Sequence, residues 1–137
     1  MSDFRFVTDT FAVSPQIEIS DVARAADMGV TLIINNRPDH EAPDQPPGEA
    51  IEAAARAAGV AYLHIPIVGG PSAAQTKAMH EAVAATPGKV LAFCRSGTRS
   101  INTWALGHAA SGAMERAELV GLGAGAGYDL SWLPVSP

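Results

Sequence analysis

The stretch "KVLAFCRSGTRSINTWALGHAA", residues 89–110, decides how the chain is read. Lys89 to Phe93 form an apolar run of strand length. "CRSGTRS", Cys94 to Ser100, follows without a gap, and "INTWALGHAA" then reads as a helix. Cys94 is the one cysteine in 137 residues. A strand that turns through a glycine-containing loop into a helix lets successive backbone N–H groups point inward as an anion nest. The helix N-terminus adds partial positive charge at the same spot. Arg99 can return over the nest and bind two oxygens of a tetrahedral anion at once. Such surroundings favour the thiolate, the nucleophilic form of cysteine. A free cysteine is commonly a small core residue, but this joint pattern is far more specific than a lone Cys.

Cys94 is therefore the candidate nucleophile. Arg95, Ser96, Gly97, Thr98 and Arg99 are the candidate anion-binding residues. Ser100 is placed to bond the sulfur or to cap the helix. Gly97 permits tight curvature or a positive φ without a Cβ clash. Arg95 precedes the glycine and is expected to point outward.

Working outward, "FRFVTDTFAVS" (4–14) reads as an N-terminal hairpin at the sheet edge, turning near Thr8 to Thr10. "ISDVARAADMG" is a helix, with Ser20 or Asp21 as its cap and Gly29 as its stop. "VTLIINN" (30–36) is a strand buried on both faces. "RPDHEAPDQPPG" is a proline-rich loop. Helices are expected over 49–59, 72–86 (capped by Ser72), Arg99 to about Ala110 and Met114 to about Ala124, with a strand over 60–67. The tail is expected to pack by Tyr128, Trp132 and Leu133, with Trp104 and Trp132 in the core. Alternation at this spacing predicts one domain over 1–137, an α/β fold with a mostly parallel sheet and helices on both faces. Ligands of such sheets bind beyond the carboxyl ends of the strands. "CRSGTRS", "NNRPDHE" and "PIVGGPS" all reach that edge. Arg37 there either helps bind the anion or pairs with Asp39 or Glu41, and His64 reads as a hydrogen-bonded structural histidine.

Composition narrows the function. With 47% hydrophobic and 17% charged residues, the chain suits a compact enzyme and not a disordered segment. One cysteine excludes an internal disulfide and a Cys-rich zinc site; no metal or other cofactor is expected. A net charge of −5 without a Lys/Arg cluster argues against nucleic acid and anionic membranes as partners. No signal peptide or membrane span is legible, so the expected location is cytoplasmic.

"CRSGTRS" resembles the active-site loops of Cys-dependent phosphatases and of rhodaneses. Together with "SPQIEISDVARAADMGVTLIINNRPDHEAPDQPPGEAIEAAARAAGVAYLHIPIVGG" and "GYDL", it is similar to one bacterial family over roughly residues 4 to 133. That family is the phosphatase-like domain of β-lactamase hydrolase-like proteins. The resemblance implies a protein tyrosine phosphatase-like fold and a metallo-β-lactamase-type domain as a possible partner. It implies either phosphatase or sulfurtransferase activity.

Two departures from the tyrosine phosphatase pattern favour sulfur transfer. The phosphatase loop is Cys-x5-Arg, whereas Cys94 to Arg99 is Cys-x4-Arg, a length common in rhodaneses. Phosphatases of this fold also place an acid on the loop that corresponds here to "PIVGGPS", which has none. Asp39, His40 and Glu41 are the remaining acid or base candidates. Phe93 stands where phosphatases usually have His, which does not decide between the reactions. The leading expectation is sulfane-sulfur transfer from a small thiosulfate-like or persulfide donor through a Cys94 persulfide. Hydrolysis of phosphate monoesters through a phosphocysteine is the alternative, and a non-catalytic anion- or partner-binding module is the third.

Overall fold

Val90, Leu91, Ala92 and Phe93 are all buried, as a strand covered on both faces requires. They lie in a five-stranded sheet seen in the computed structural model, which describes residues 2–135. Its strands are β1 (Arg5–Phe6), β2 (Phe11–Ser14), β3 (Val30–Asn35), β4 (Ala61–His64) and β5 (Lys89–Phe93), in the order β1-β2-β5-β3-β4. β1 pairs antiparallel with β2, and the other pairings are parallel. The helices are α1 (Ile19–Asp27), α2 (Gly48–Ala57), α3 (Ala73–Ala85), α4 (Thr98–Ser111) and α5 (Arg116–Gly125). The expected α/β architecture with an edge hairpin is what forms.

Strand side chains alternate between faces, and the two faces build two cores. Leu91, Phe93, Ile33 and Ala12 meet Val22 and Ala25 of α1 and Ile51 and Ala55 of α2. Val90, Ala92, Ile34 and Val13 meet Met79 of α3, Ile101 and Trp104 of α4 and Leu119 of α5. Trp104 stacks on Phe11 with centroids 5.0 Å apart and planes 7° from parallel, an arrangement worth about 0.5–1.5 kcal/mol beyond its buried area. No helix among the described residues is long and apolar enough to cross a membrane.

Several boundaries differ from expectation for local reasons. β4 ends at His64 and not at residue 67, because its one partner strand, β3, ends at Asn35. Ile65 and Ile67 still donate to the carbonyls of Asn35 and Asn36. α1 is entered from Glu18, and Asp21 caps from inside the helix by accepting the Glu18 N–H at 2.8 Å. α5 starts at Arg116, two residues later than expected. Trp104 is buried as expected, but Trp132 is 45% exposed while its neighbour Leu133 is buried.

Candidate active site

The loop after β5 begins with Cys94, which is wholly buried. The Gly97 N–H donates to its sulfur at 3.1 Å. Each following carbonyl is engaged away from that sulfur. The Arg95 carbonyl accepts from the Gln16 N–H at 3.3 Å, and the Gly97 carbonyl accepts from the Ile101 N–H at 3.0 Å. The Ser96 carbonyl accepts from the Tyr128 hydroxyl at 2.9 Å. In a planar trans peptide, N–H points opposite to the preceding C=O. Carbonyls turned out at Arg95 and Ser96 therefore turn the N–H groups of Ser96 and Gly97 inward. Ile101 makes the first intrahelical bond of α4, so the N–H groups of Arg99 and Ser100 have no carbonyl partner within the helix, while the Thr98 N–H donates to Ser96 Oγ at 3.4 Å. The Gly97 N–H and the open first turn of α4 thus share one loop with the sulfur.

Gly97 is required here twice over. Its φ is +91°, and a Cβ would lie 2.2 Å from the Tyr128 hydroxyl oxygen. Burial pushes the Tyr128 pKa up, which keeps the phenol a donor to the loop.

Arg99 has a fixed set of partners. Nη1 donates to Glu41 Oε2 at 2.7 Å and to the Ile67 carbonyl at 2.9 Å, and Nη2 donates to Glu41 Oε1 at 2.8 Å. A guanidinium has five N–H donors, so these bonds leave two, on Nε and on Nη2. Those two lie on one edge of the plane and form a second parallel fork. Arg99 is held above its ordinary pKa first by Glu41 and also by the neighbouring Cys94 sulfur. Glu41 thus grips one edge of the guanidinium and leaves the other edge free.

The acid and base candidates are corrected by this geometry. Hydrogen bonds from Arg99, then from Arg37, hold the Glu41 carboxyl down at about 2 against burial. It is a fixed anion near neutral pH, unsuited to give a proton. Asp39 accepts the N–H of Gly48, the first residue of α2, at 2.8 Å. His40 is exposed in the left-handed region, with φ 67°. The three adjacent residues point to three different tasks.

Arg37 resolves toward its structural alternative. Its guanidinium, 4% exposed, donates to Glu41 at 2.9 Å and to the Gln16 side chain at 3.1 Å. His64 is hydrogen-bonded as expected, with Nε2 2.9 Å from the Arg37 carbonyl. Arg95 is exposed, pointing outward as expected. Ser100 does not cap α4, because the cap position is Gly97; its buried hydroxyl has no partner among the described residues. Among those residues, no group of three His, Cys, Asp or Glu side chains could hold a metal.

Sequence reasoning missed Asn35, Asn36, Gln16 and Tyr128 as supports of the site. The Asn35 side chain accepts the Arg37 N–H at 2.9 Å, and Asn36 donates to the Ile65 carbonyl at 3.0 Å. Two asparagines ending an apolar strand were the available signal. Buried polar side chains need partners, and here they hold the Arg37–Glu41 loop beside Cys94.

The Glu41 pairing has a pH signature. An unfolded Glu titrates near 4.3, whereas the folded carboxyl lies at about 2. Its contribution to stability is present above the unfolded value and is lost as pH falls through the folded one. The difference in urea midpoint between wild type and Glu41→Gln should therefore shrink from pH 5 to pH 2. A difference that stays constant over that window would contradict the pairing. Asp21 is also held low, but it is common to both proteins and cancels in the comparison.

Known proteins resemble this chain in sequence and in fold. A family model described as beta-lactamase hydrolase-like protein, phosphatase-like domain, matches residues 3–111. A beta-lactamase hydrolase-like protein of Xylella fastidiosa is 39% identical over 132 residues, covering 93% of this chain. The chain spans only 31% of that relative. A Neisseria meningitidis protein, provisionally assigned as a phosphatase, superposes with TM-score 0.81 at 29% identity, covering 93% of this chain and 90% of that one. A cysteine-to-serine variant of P. aeruginosa TpbA, solved with phosphotyrosine, superposes with TM-score 0.66 at 16% identity, covering 91% and 75%. At that identity it shows the fold alone, which is protein tyrosine phosphatase-like. With most of its length matched, this chain belongs to the phosphatase-like domain family of beta-lactamase hydrolase-like proteins.

Proposed function

We propose that the protein hydrolyses phosphate monoesters through a phosphocysteine on Cys94. The observation that carries this reading is the free edge of Arg99, held by Glu41, on the same loop whose Gly97 N–H points at the Cys94 sulfur. Such an array suits the equatorial oxygens of a phosphoryl group in transfer, where positioning and electrostatic stabilisation supply most of the catalysis. The Cys94 thiolate attacks phosphorus, the P–O bond to the leaving group breaks, and the leaving group takes its proton from solvent. Water then attacks phosphorus, the S–P bond breaks, and phosphate leaves with the thiolate restored.

Loop length and the missing loop acid favour sulfur transfer. The family match and the phosphatase-like neighbours give that preference no support and weigh toward phosphate. The experiment sets the two chemistries side by side on the same protein. Quenched with acid during turnover of an aryl phosphate, it should carry one phosphoryl group on Cys94 by intact mass. Uptake of one sulfur from thiosulfate with transfer to cyanide, and no phosphate release, would overturn the proposal.

Leaving-group chemistry supplies a further expectation. The Ile65–Ser72 loop carries no carboxylate, and Glu41 is held ionised. A phenol has a pKa of about 10, whereas an alkoxide departs nearly as basic as hydroxide, whose parent water is about 15.7. Across a series of substituted phenyl phosphates, kcat/KM should rise steeply as the phenol becomes more acidic. A flat dependence would mean that a side chain does protonate the leaving group.

A further inference from the structure

We propose that the apolar pocket beside Arg99 is the leaving-group subsite, and that Trp132 is its specificity-determining residue, taking an aromatic ring against its indole. This inference rests on the phosphate-monoester reading of the same site and adds to it where the remainder of the substrate goes.

The pocket has a volume of about 250 Å³ and is lined by Gly69, Gly70, Pro71, Asn102, Leu106 and Trp132, with Arg99 at its shared wall. A cavity of about 150 Å³ already admits benzene, so one substituted ring fits. Arg99 is the one lining residue with a charge, so an anion-binding group borders an otherwise uncharged space. That is the polarity of an aryl phosphate.

Trp132 is held out on purpose-built backbone. Arg116 Nε donates to the Leu133 carbonyl at 2.8 Å, and Arg116 Nη2 donates to the Ser131 carbonyl. The Ser131 N–H in turn donates to Asp129 at 2.9 Å. Backbone groups on both sides of Trp132 are thus pinned while its side chain stays 45% exposed. A large aromatic left in water on a fixed backbone has apolar area available for a ligand. Gly69 and Gly70 add only backbone to the lining, and a Cβ on either would meet nothing within 4 Å. Open backbone and an exposed indole lining one pocket leave room for a flat group.

The test compares two substrates with good leaving groups, one with a ring and one without. Phenyl-type phosphate and acetyl phosphate are turned over by wild type, Trp132→Ala and Trp132→Phe. The ratio of kcat/KM for the aryl substrate over acetyl phosphate should fall on the order of tenfold in Trp132→Ala, about the worth of one aromatic contact with its burial. Trp132→Phe should restore most of the ratio. Binding is read separately on Cys94→Ser protein, where adding Trp132→Ala should weaken phenylphosphonate about tenfold more than inorganic phosphate. An unchanged ratio with unchanged phenylphosphonate binding would overturn the subsite while leaving the phosphatase reading in place. Wild-type protein that turns over neither substrate would take down both. If Trp132→Ala misfolds by its thermal midpoint, Trp132→Lys supplies the same comparison, and a retained ratio there overturns the proposal.

Discussion

Cys94→Ser is expected to lower turnover of an aryl phosphate by at least about 10⁴-fold, the scale on which losing a covalent nucleophile acts. Serine is close to cysteine in size, so the buried position after β5 stays filled. Its hydroxyl can still accept the Gly97 N–H that now points at sulfur. The variant should therefore keep its thermal midpoint and its affinity for phosphate while losing the covalent step. Turnover, calorimetric titration with phosphate and thermal unfolding measured together check this. A variant that retains a few per cent of wild-type turnover would place the nucleophile elsewhere.

Arg99→Ala carries the second large effect. The free Nε and Nη2 donors would make two charge-assisted bonds to a bound phosphoryl group, each worth roughly 1.5–3 kcal/mol. Their joint loss corresponds to a fall of about 10²–10⁴ in kcat/KM. Lysine keeps a charge but has no planar fork, and it cannot hold Glu41 and the Ile67 carbonyl while also presenting two parallel donors. Arg99→Lys should fall between wild type and Arg99→Ala. Arg95 is exposed, so Arg95→Ala should cost much less. Steady-state kinetics on the three variants decide the assignment, and Arg95→Ala proving worse than Arg99→Ala would mean that the wrong arginine has been placed over the nest.

What could be read before the structure was what depends on local pattern. Lys89–Phe93 is uniformly apolar, and "CRSGTRS" joins it to a helix within one loop, so strand, nest and helix follow from adjacent residues. The partners of Asp39, His40 and Glu41 were not legible, because these neighbours take up three different surroundings. One meets the N-terminus of α2, one is exposed, and one reaches across to α4. No periodicity encodes such pairings. Arg99 needed 58 residues of sequence separation to meet Glu41. Trp132 was misread for a related reason. Its apolar side chain predicts burial, and only the Arg116 bonds on either side show that it is displayed. Tyr128 likewise gave no sign that its hydroxyl would reach the Ser96 carbonyl.

That last bond bears on where the working unit ends. The family model stops at residue 111, yet the hydroxyl that holds the Ser96 peptide outward comes from residue 128. Leu119, Leu130 and Leu133 also fill the core under α4 from beyond that limit. A chain cut at the end of α4 would keep Cys94 and Arg99 but release the Ser96 carbonyl. One flip of that peptide would aim an oxygen into the nest and withdraw the Gly97 N–H from it. An anion would then meet repulsion where it had a donor. The C-terminal segment is thus a latch on the loop's polarity, and anything that lifts it would silence the nest without touching the residues that do the chemistry.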